Sequence, residues 1–228
     1  MATFIFDIDG TLVESTDFDS RLYRRAVADV LGEVVIHDDW DAYRHVTDGG
    51  ILRQILDENG VEDPVGAFET VKSRFVALVD RHLEDAPCRA IPGAGAVLRT
   101  LRDAGTRRVG LATGGWGRTA VAKLRSAGLH FPEIPLFSSD HAEARTEIMR
   151  RCLEALPAPS GPVTYVGDGP WDLRAASSLG WGFVAIGPRL EGTHRPWIRD
   201  FVHFDPEDGG SGGGGPGPGG PGPGNGDP

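Results

Sequence analysis

Cysteine is nearly absent: Cys88 and Cys152 are the only two in 228 residues. Two thiols are too few for a disulfide framework, so both are expected to be reduced. Long apolar runs are missing as well. No stretch approaches the ~18 residues that a membrane-spanning helix needs. The first residues enter an apolar strand directly, without the basic region, apolar segment and cleavage site of a leader. A cytoplasmic protein without membrane contact is the expectation. Positive charge is also short: 23 Lys and Arg against 33 Asp and Glu leave a net charge of −10, and no basic stripe is visible. That balance argues against nucleic acid as a main partner. It leaves room for small phosphorylated molecules, because a bound metal can reverse the sign locally.

Glycine and proline are in excess, and they concentrate in residues 209–228. That segment has no side chains to bury against the entropy of ordering, so it reads as a disordered tail. Residues 16–86 carry apolar stripes at helical spacing. Leu22, Ala26, Val27 and Val30 make one, and Val46, Ile51, Ile55 and Leu56 a second, with a break expected at Asp48-Gly49-Gly50. Phe68, Val71, Phe75, Leu78, Val79 and Leu83 make a third. From Ile91 the pattern alternates between helices and short apolar strands, among them Val109-Gly110-Leu111-Ala112, Leu136-Phe137, Val163-Thr164-Tyr165-Val166 and Phe183-Val184-Ala185-Ile186. Such alternation predicts an α/β fold, a Rossmann-like parallel sheet with helices on both faces. The core would comprise residues 1–15 and 87–206, interrupted by an all-helical insertion over residues 16–86.

The first strand, Ala2-Thr3-Phe4-Ile5-Phe6, runs into Asp7-Ile8-Asp9-Gly10-Thr11. In extended backbone, positions i and i+2 share a face, so Asp7 and Asp9 are expected to address one point. Two carboxylates there repel unless a cation or a shared proton lies between them, which asks for a hard divalent metal, Mg²⁺. Gly10 lets the chain turn. Ligands of open α/β sheets bind beyond the carboxyl ends of the strands, and further candidates fall at such ends. Thr113 and Gly114 offer a hydroxyl and backbone N–H groups to phosphate oxygens. Asp168, in Gly167-Asp168-Gly169-Pro170-Trp171-Asp172, is placed to reach the same crevice, and Asp172 lies one helical turn on. Each is an ordinary feature in isolation: an Asp-Gly turn, a strand-end Thr, an acid in a first helical turn. Their joint occurrence at strand ends makes a site.

In these motifs the sequence resembles the haloacid dehalogenase-like hydrolase superfamily. The first motif matches Asp7, Asp9 and Thr11, the second Thr113, and the fourth Asp168 and Asp172. The family's third motif is a basic residue on a helix between the second and fourth. Common phosphatase members carry a Lys-Pro pair there, which this chain lacks. Arg145 is the best positional match, whereas Lys123 and Arg118 sit too near the second motif. The helical insertion is similar in position and size to the cap of phosphoglycolate-phosphatase-like members, and His45, Thr47, Asp48 and Arg53 are candidates to face a substrate from it.

The resemblance implies a Mg²⁺-dependent phosphatase acting on a small phosphorylated metabolite. Asp7 would be the nucleophile that forms an aspartyl phosphate, and Asp9 the proton donor and acceptor. Asp7, the Asp9 backbone carbonyl and Asp168 would hold the metal, with Asp172 orienting its water. Thr113, Gly114 and Arg145 would hold the phosphoryl group, Arg145 from an open crevice where stability depends little on it. Phosphoglycolate, a sugar phosphate, a nucleoside monophosphate and a cofactor phosphate all suit such a pocket. Asp9 argues against dehalogenases and phosphonate hydrolases, which lack an acid at that position. A sugar-phosphate mutase is the alternative within the family. A non-catalytic binding protein retaining the fold is the alternative outside it, but its sign would be loss of Asp7, Asp9 or Asp168.

Overall fold

A strand that is apolar on both faces must be covered on both, and β1 (Thr3–Phe6) is such a strand. In the computed structural model, which describes residues 2–103, 108–157 and 161–206, it lies inside a six-stranded sheet. After β1 the chain forms a tight loop, a two-residue strand β2 (Val13–Glu14), and helices α1 (Thr16–Leu31), α2 (Asp48–Glu58) and α3 (Pro64–Asp85). It returns through β3 (Arg89–Ala90), antiparallel to β2, so the two crossings lie side by side. The remainder alternates: α4 (Ala94–Asp103), β4 (Arg108–Ala112), α5 (Gly117–Ser126), β5 (Leu136–Phe137), α6 (Arg145–Glu154), β6 (Val163–Gly167), α7 (Pro170–Ser178), β7 (Gly182–Ile186) and β8 (Trp197–Ile198).

The sheet order is β5-β4-β1-β6-β7-β8 with every pairing parallel, the Rossmann-like architecture that the alternation predicts. Successive β1 side chains feed opposite layers. Phe4 and Phe6 pack with Leu98 and Leu101 of α4, Leu124 of α5, and Phe201 and Phe204. Ile5 packs on the other face with Tyr165, Met149 and Cys152 of α6, and Ala176 of α7. Cys88 and Cys152 are buried free thiols. Burial pushes them up to about 11 and about 12, away from thiolate reactivity.

The three inserted helices share their own apolar cluster, built from Leu22, Val27, Leu52, Ile55, Phe75 and Val79. Trp116, from the loop before α5, is buried in that cluster and stacks on Tyr23 at 5.8 Å. The insert is thus seated on the sheet layer by an aromatic anchor. The expected break at Asp48-Gly49-Gly50 is instead the first turn of α2: Thr47 caps it by accepting the Gly50 N–H at 3.1 Å. A Cβ at Gly50 would stand 2.6 Å from that of His45, so the turn closes only on glycine. No helix among the described residues is long and apolar enough to cross a membrane. The glycine- and proline-rich segment, expected as a tail, lies outside the described residues.

Candidate active site

Because β4, β1 and β6 are adjacent and parallel, the residues that follow them gather at one edge of the sheet. Asp7 follows β1, Thr113 follows β4 and Asp168 follows β6. Together with Asp9, Arg145 and Asp48 they line a cleft of about 110 Å³ between the sheet and the helical insert.

Three carboxylates, from Asp7, Asp168 and Asp172, have oxygens within 4.8 Å of one another, and all three residues are buried. Burial and then repulsion from Asp172 hold Asp7 well above the usual carboxylate range, against the pull of Arg145. The same two causes push Asp168 to about 7, opposed by Arg189. Burial raises Asp172 too, and Arg145 opposes it. Arg145 opens α6 and reaches this cluster: its Nη1 lies 3.3 Å from Asp7 Oδ1 and 2.9 Å from Asp172 Oδ1, while Nη2 donates to the Val46 carbonyl at 3.0 Å. Burial lowers the Arg145 pKa, but its acidic neighbours outweigh that, so it stays charged. From the opposite side Arg189 Nη1 contacts Asp168 Oδ2 at 2.9 Å, its guanidinium 4.9 Å from the Trp171 ring. Asp172 Oδ1 is buried, with the Arg145 ion pair as its polar contact and no further hydrogen bond. Three buried oxygen donors without sulfur or imidazole form a set that fits a hard cation.

Two glycines make this approach possible. Gly10 has φ +76°, and a Cβ there would meet Asp168 Oδ2 at 2.4 Å. A Cβ on Gly114 would stand 2.3 Å from Arg145 Nη2 and 2.9 Å from the Val46 oxygen, so Gly114 leaves the space in which the guanidinium lies. The Thr113 hydroxyl accepts the Gly115 N–H at 3.0 Å.

Asp9 belongs to a second network. Its Oδ1 accepts from Lys123 Nζ and from Ser15 Oγ, both at 2.5 Å. Lys123, on α5, has no exposed side-chain surface and also pairs with Asp19 of α1 at 3.0 Å. Asp7 and Asp9 therefore both line the cleft, and each acid has its own cation. By its closeness to Thr113 in sequence, Lys123 is not expected at the site. The signal for it was there: it falls in the Thr119, Ala120, Lys123, Leu124 stripe, the buried face of α5.

The insert lines the cleft opposite the strand ends with residues of its own. Asp48 N–H donates to the Gly114 carbonyl and Asp48 Oδ2 accepts from Trp116 N–H, each at 2.8 Å. Burial, opposed by Lys123, places Asp19 at about 6; burial and then repulsion from Asp19 raise Asp48 well above its usual range. Of the four candidates on the insert, Thr47 and Asp48 line the cleft. The Thr47 hydroxyl is occupied by its cap and by donation to the Glu143 carbonyl at 2.8 Å. His45 and Arg53 line a separate groove, where Arg53 lies 3.9 Å from Glu143 and 4.9 Å from the Phe68 ring. Arg145 departs from expectation in one respect: its side chain is only 11 % exposed, packed rather than in an open crevice. Arg118 is exposed and pairs with Asp80. Thr11 is buried, and its Oγ1 has no hydrogen-bond partner among the described residues.

The chain is similar to several solved structures. A hydrolase from Pseudomonas syringae is 23% identical, with a TM-score of 0.67 over 86% of this chain and 88% of that one. CbbY from Rhodobacter sphaeroides, solved with phosphate, is 20% identical, with a TM-score of 0.68 over 89% and 95%. A protein described as a predicted phosphoglycolate phosphatase from Haemophilus somnus is 17% identical, with a TM-score of 0.62 over 88% and 94%. At these identities the likeness concerns the fold. No curated protein matches the sequence. The family model for "haloacid dehalogenase-like hydrolase" matches residues 1–180, the span that holds every motif above, and the chain belongs to that family.

Proposed function

We propose that this hydrolase is a Mg²⁺-dependent phosphatase that acts on a small phosphate monoester through an aspartyl-phosphate intermediate. One observation carries the reading: Asp7, buried at the end of β1, faces Arg145 at 3.3 Å inside the acid cluster, while Asp9 faces the same cleft from a separate network. An acid beside a fixed guanidinium suits attack on an anionic phosphoryl group, and a second acid nearby suits proton transfer. The cleft is below the roughly 300–1,000 Å³ of pockets for drug-sized ligands, which favours a small substrate. The helical insert would act as a lid that excludes water during the first transfer.

Asp7 would attack phosphorus as the bond to the alcohol oxygen breaks, and Asp9 would protonate the departing alkoxide. Asp9 would then take a proton from the water that hydrolyses the intermediate, which frees Asp7. Arg145, Thr113 and the backbone beside Gly114 would hold the phosphoryl oxygens through both steps. Lys123 and Ser15 would fix the direction of the Asp9 carboxylate. Asp7 and Asp168, with Asp172 beside them, would hold Mg²⁺, and the family resemblance adds the Asp9 backbone carbonyl. When bound, the cation supplies charge neutralisation, keeping Asp7 ionised beside its acidic neighbours and an anionic substrate.

A screen of phosphorylated metabolites, read by inorganic phosphate with Mg²⁺ and again with chelator, tests the proposal. Mg²⁺-dependent phosphate release supports it. Isomerised sugar phosphate without free phosphate would move the reading to a mutase.

A further inference from the structure

The charge in the cleft is divided by location. Among the described residues Arg145 is the only cation lining it, and Asp7 and Asp172 hold that side chain at the phosphoryl end. The helical insert contributes Asp19 and Asp48 and no base. Its basic candidates, His45 and Arg53, line a different groove. Lys123 lies behind the wall with no exposed surface, shared between Asp9 and Asp19. Asp9 and Asp19 thus share one ammonium, with Asp48 as a third acid nearby, at the end where the phosphatase reading would seat the alcohol part of a substrate.

Two of these acids also leave a space between them. A Cβ on Gly115 would stand 3.2 Å from Asp9 Oδ2 and 3.7 Å from Asp48 Oδ2, so any side chain there would fill the gap between core and insert. Gly115 lines the cleft together with the aromatic rings of Tyr23, Trp40 and Trp171.

We propose, on the strength of the phosphatase reading, that the alcohol end of the substrate carries a positive charge: the substrate is a small phosphate monoester of an amino alcohol. An ammonium group in this space favours the ionised forms of Asp19 and Asp48, which burial disfavours, and offers each of the three acids a charged donor. A neutral polyol can hydrogen-bond there but brings no such charge. A carboxylate or a second phosphate meets Asp19 and Asp48 with no cation of the insert lining the cleft among the described residues, and like charges set against each other discriminate strongly. Phosphoglycolate, one of the substrates the sequence leaves open, is of that disfavoured class.

The test compares kcat/KM for O-phosphoethanolamine, glycerol phosphate and phosphoglycolate, with p-nitrophenyl phosphate as the control for catalysis. The expected order is phosphoethanolamine, glycerol phosphate, phosphoglycolate, with roughly tenfold or more between the first and last. Asp48→Asn, which keeps an oxygen to accept the Trp116 N–H, should shrink that ratio, and Asp19→Asn should do so independently. Phosphoglycolate turned over as well as phosphoethanolamine, or a ratio unmoved by both variants, overturns the inference. If even p-nitrophenyl phosphate releases nothing, the phosphatase reading fails instead. Calorimetric binding of phosphoethanolamine and phosphoglycolate to Asp7→Asn protein then still decides the charge preference: tighter phosphoethanolamine supports it, and equal or tighter phosphoglycolate contradicts it.

Discussion

Arg145 Nη1 lies 3.3 Å from Asp7 Oδ1, joining the start of α6 to the end of β1 across 138 residues of sequence. The same nitrogen lies 2.9 Å from Asp172, so one guanidinium orients two buried acids. Arg145→Ala should therefore cost activity and stability together. Removing a preorganised charge donor lowers kcat/KM by about 10²–10³-fold. Leaving Asp7 and Asp172 buried without their cation costs ~3–5 kcal/mol of folding free energy. Arg145→Lys should recover part of the activity, because it restores a point charge but not the fork that also reaches the Val46 carbonyl. Steady-state kinetics with denaturant unfolding of both variants checks this. An Arg145→Ala protein of wild-type stability would show that the packed position contributes nothing.

Lys123 makes a separate prediction. Lys123→Met strands Asp9 and Asp19 without their shared ammonium, and breaking one side of a buried pair costs ~3–5 kcal/mol. Lys123→Met with Asp19→Asn should regain part of that stability, since one of the two stranded charges is gone. In either background the pH–rate profile should shift, because the acid that moves protons has lost its cation. A profile that superimposes on wild type would assign Lys123 to structure alone.

The stability of metal-free protein should carry the signature of Asp19. Burial holds its proton to about pH 6 in the folded state, whereas the ordinary value is 3.8. Between those values the folded state binds the extra proton, so this residue's contribution to stability falls as pH rises and levels off above ~6. Asp19→Asn removes that penalty. The difference in melting temperature, variant minus wild type, should grow from pH 4 to pH 6 and then stay flat. A difference that is constant across this range would contradict the burial of an ionisable Asp19.

The apolar alternation after Ile91 was enough to read a parallel sheet, because β4, β5 and β6 are each followed by a helical stripe. Asp7, Asp168 and Thr113 were legible for the same reason: a polar residue directly after a buried strand has nowhere to point but the ligand edge. Three things were not legible. The glycines at 49 and 50 looked like a break because composition does not reveal that Thr47 caps them. The burial of Arg145 depends on Gly114 and on the Val46 carbonyl, contacts that form only once the insert is seated. Lys123 lies close to Thr113 in sequence, which hides that the helix turns it towards Asp9.

The central claim is that Asp7 is the nucleophile, and Asp7→Asn tests it most directly. The substitution keeps the side chain's shape and removes a charge that burial and Asp172 already disfavour, so the variant should fold at least as stably as wild type. Phosphate release in the presence of Mg²⁺ should be abolished for every ester that the wild type hydrolyses, including p-nitrophenyl phosphate. A folded Asp7→Asn protein that releases phosphate at a rate close to wild type would contradict the account.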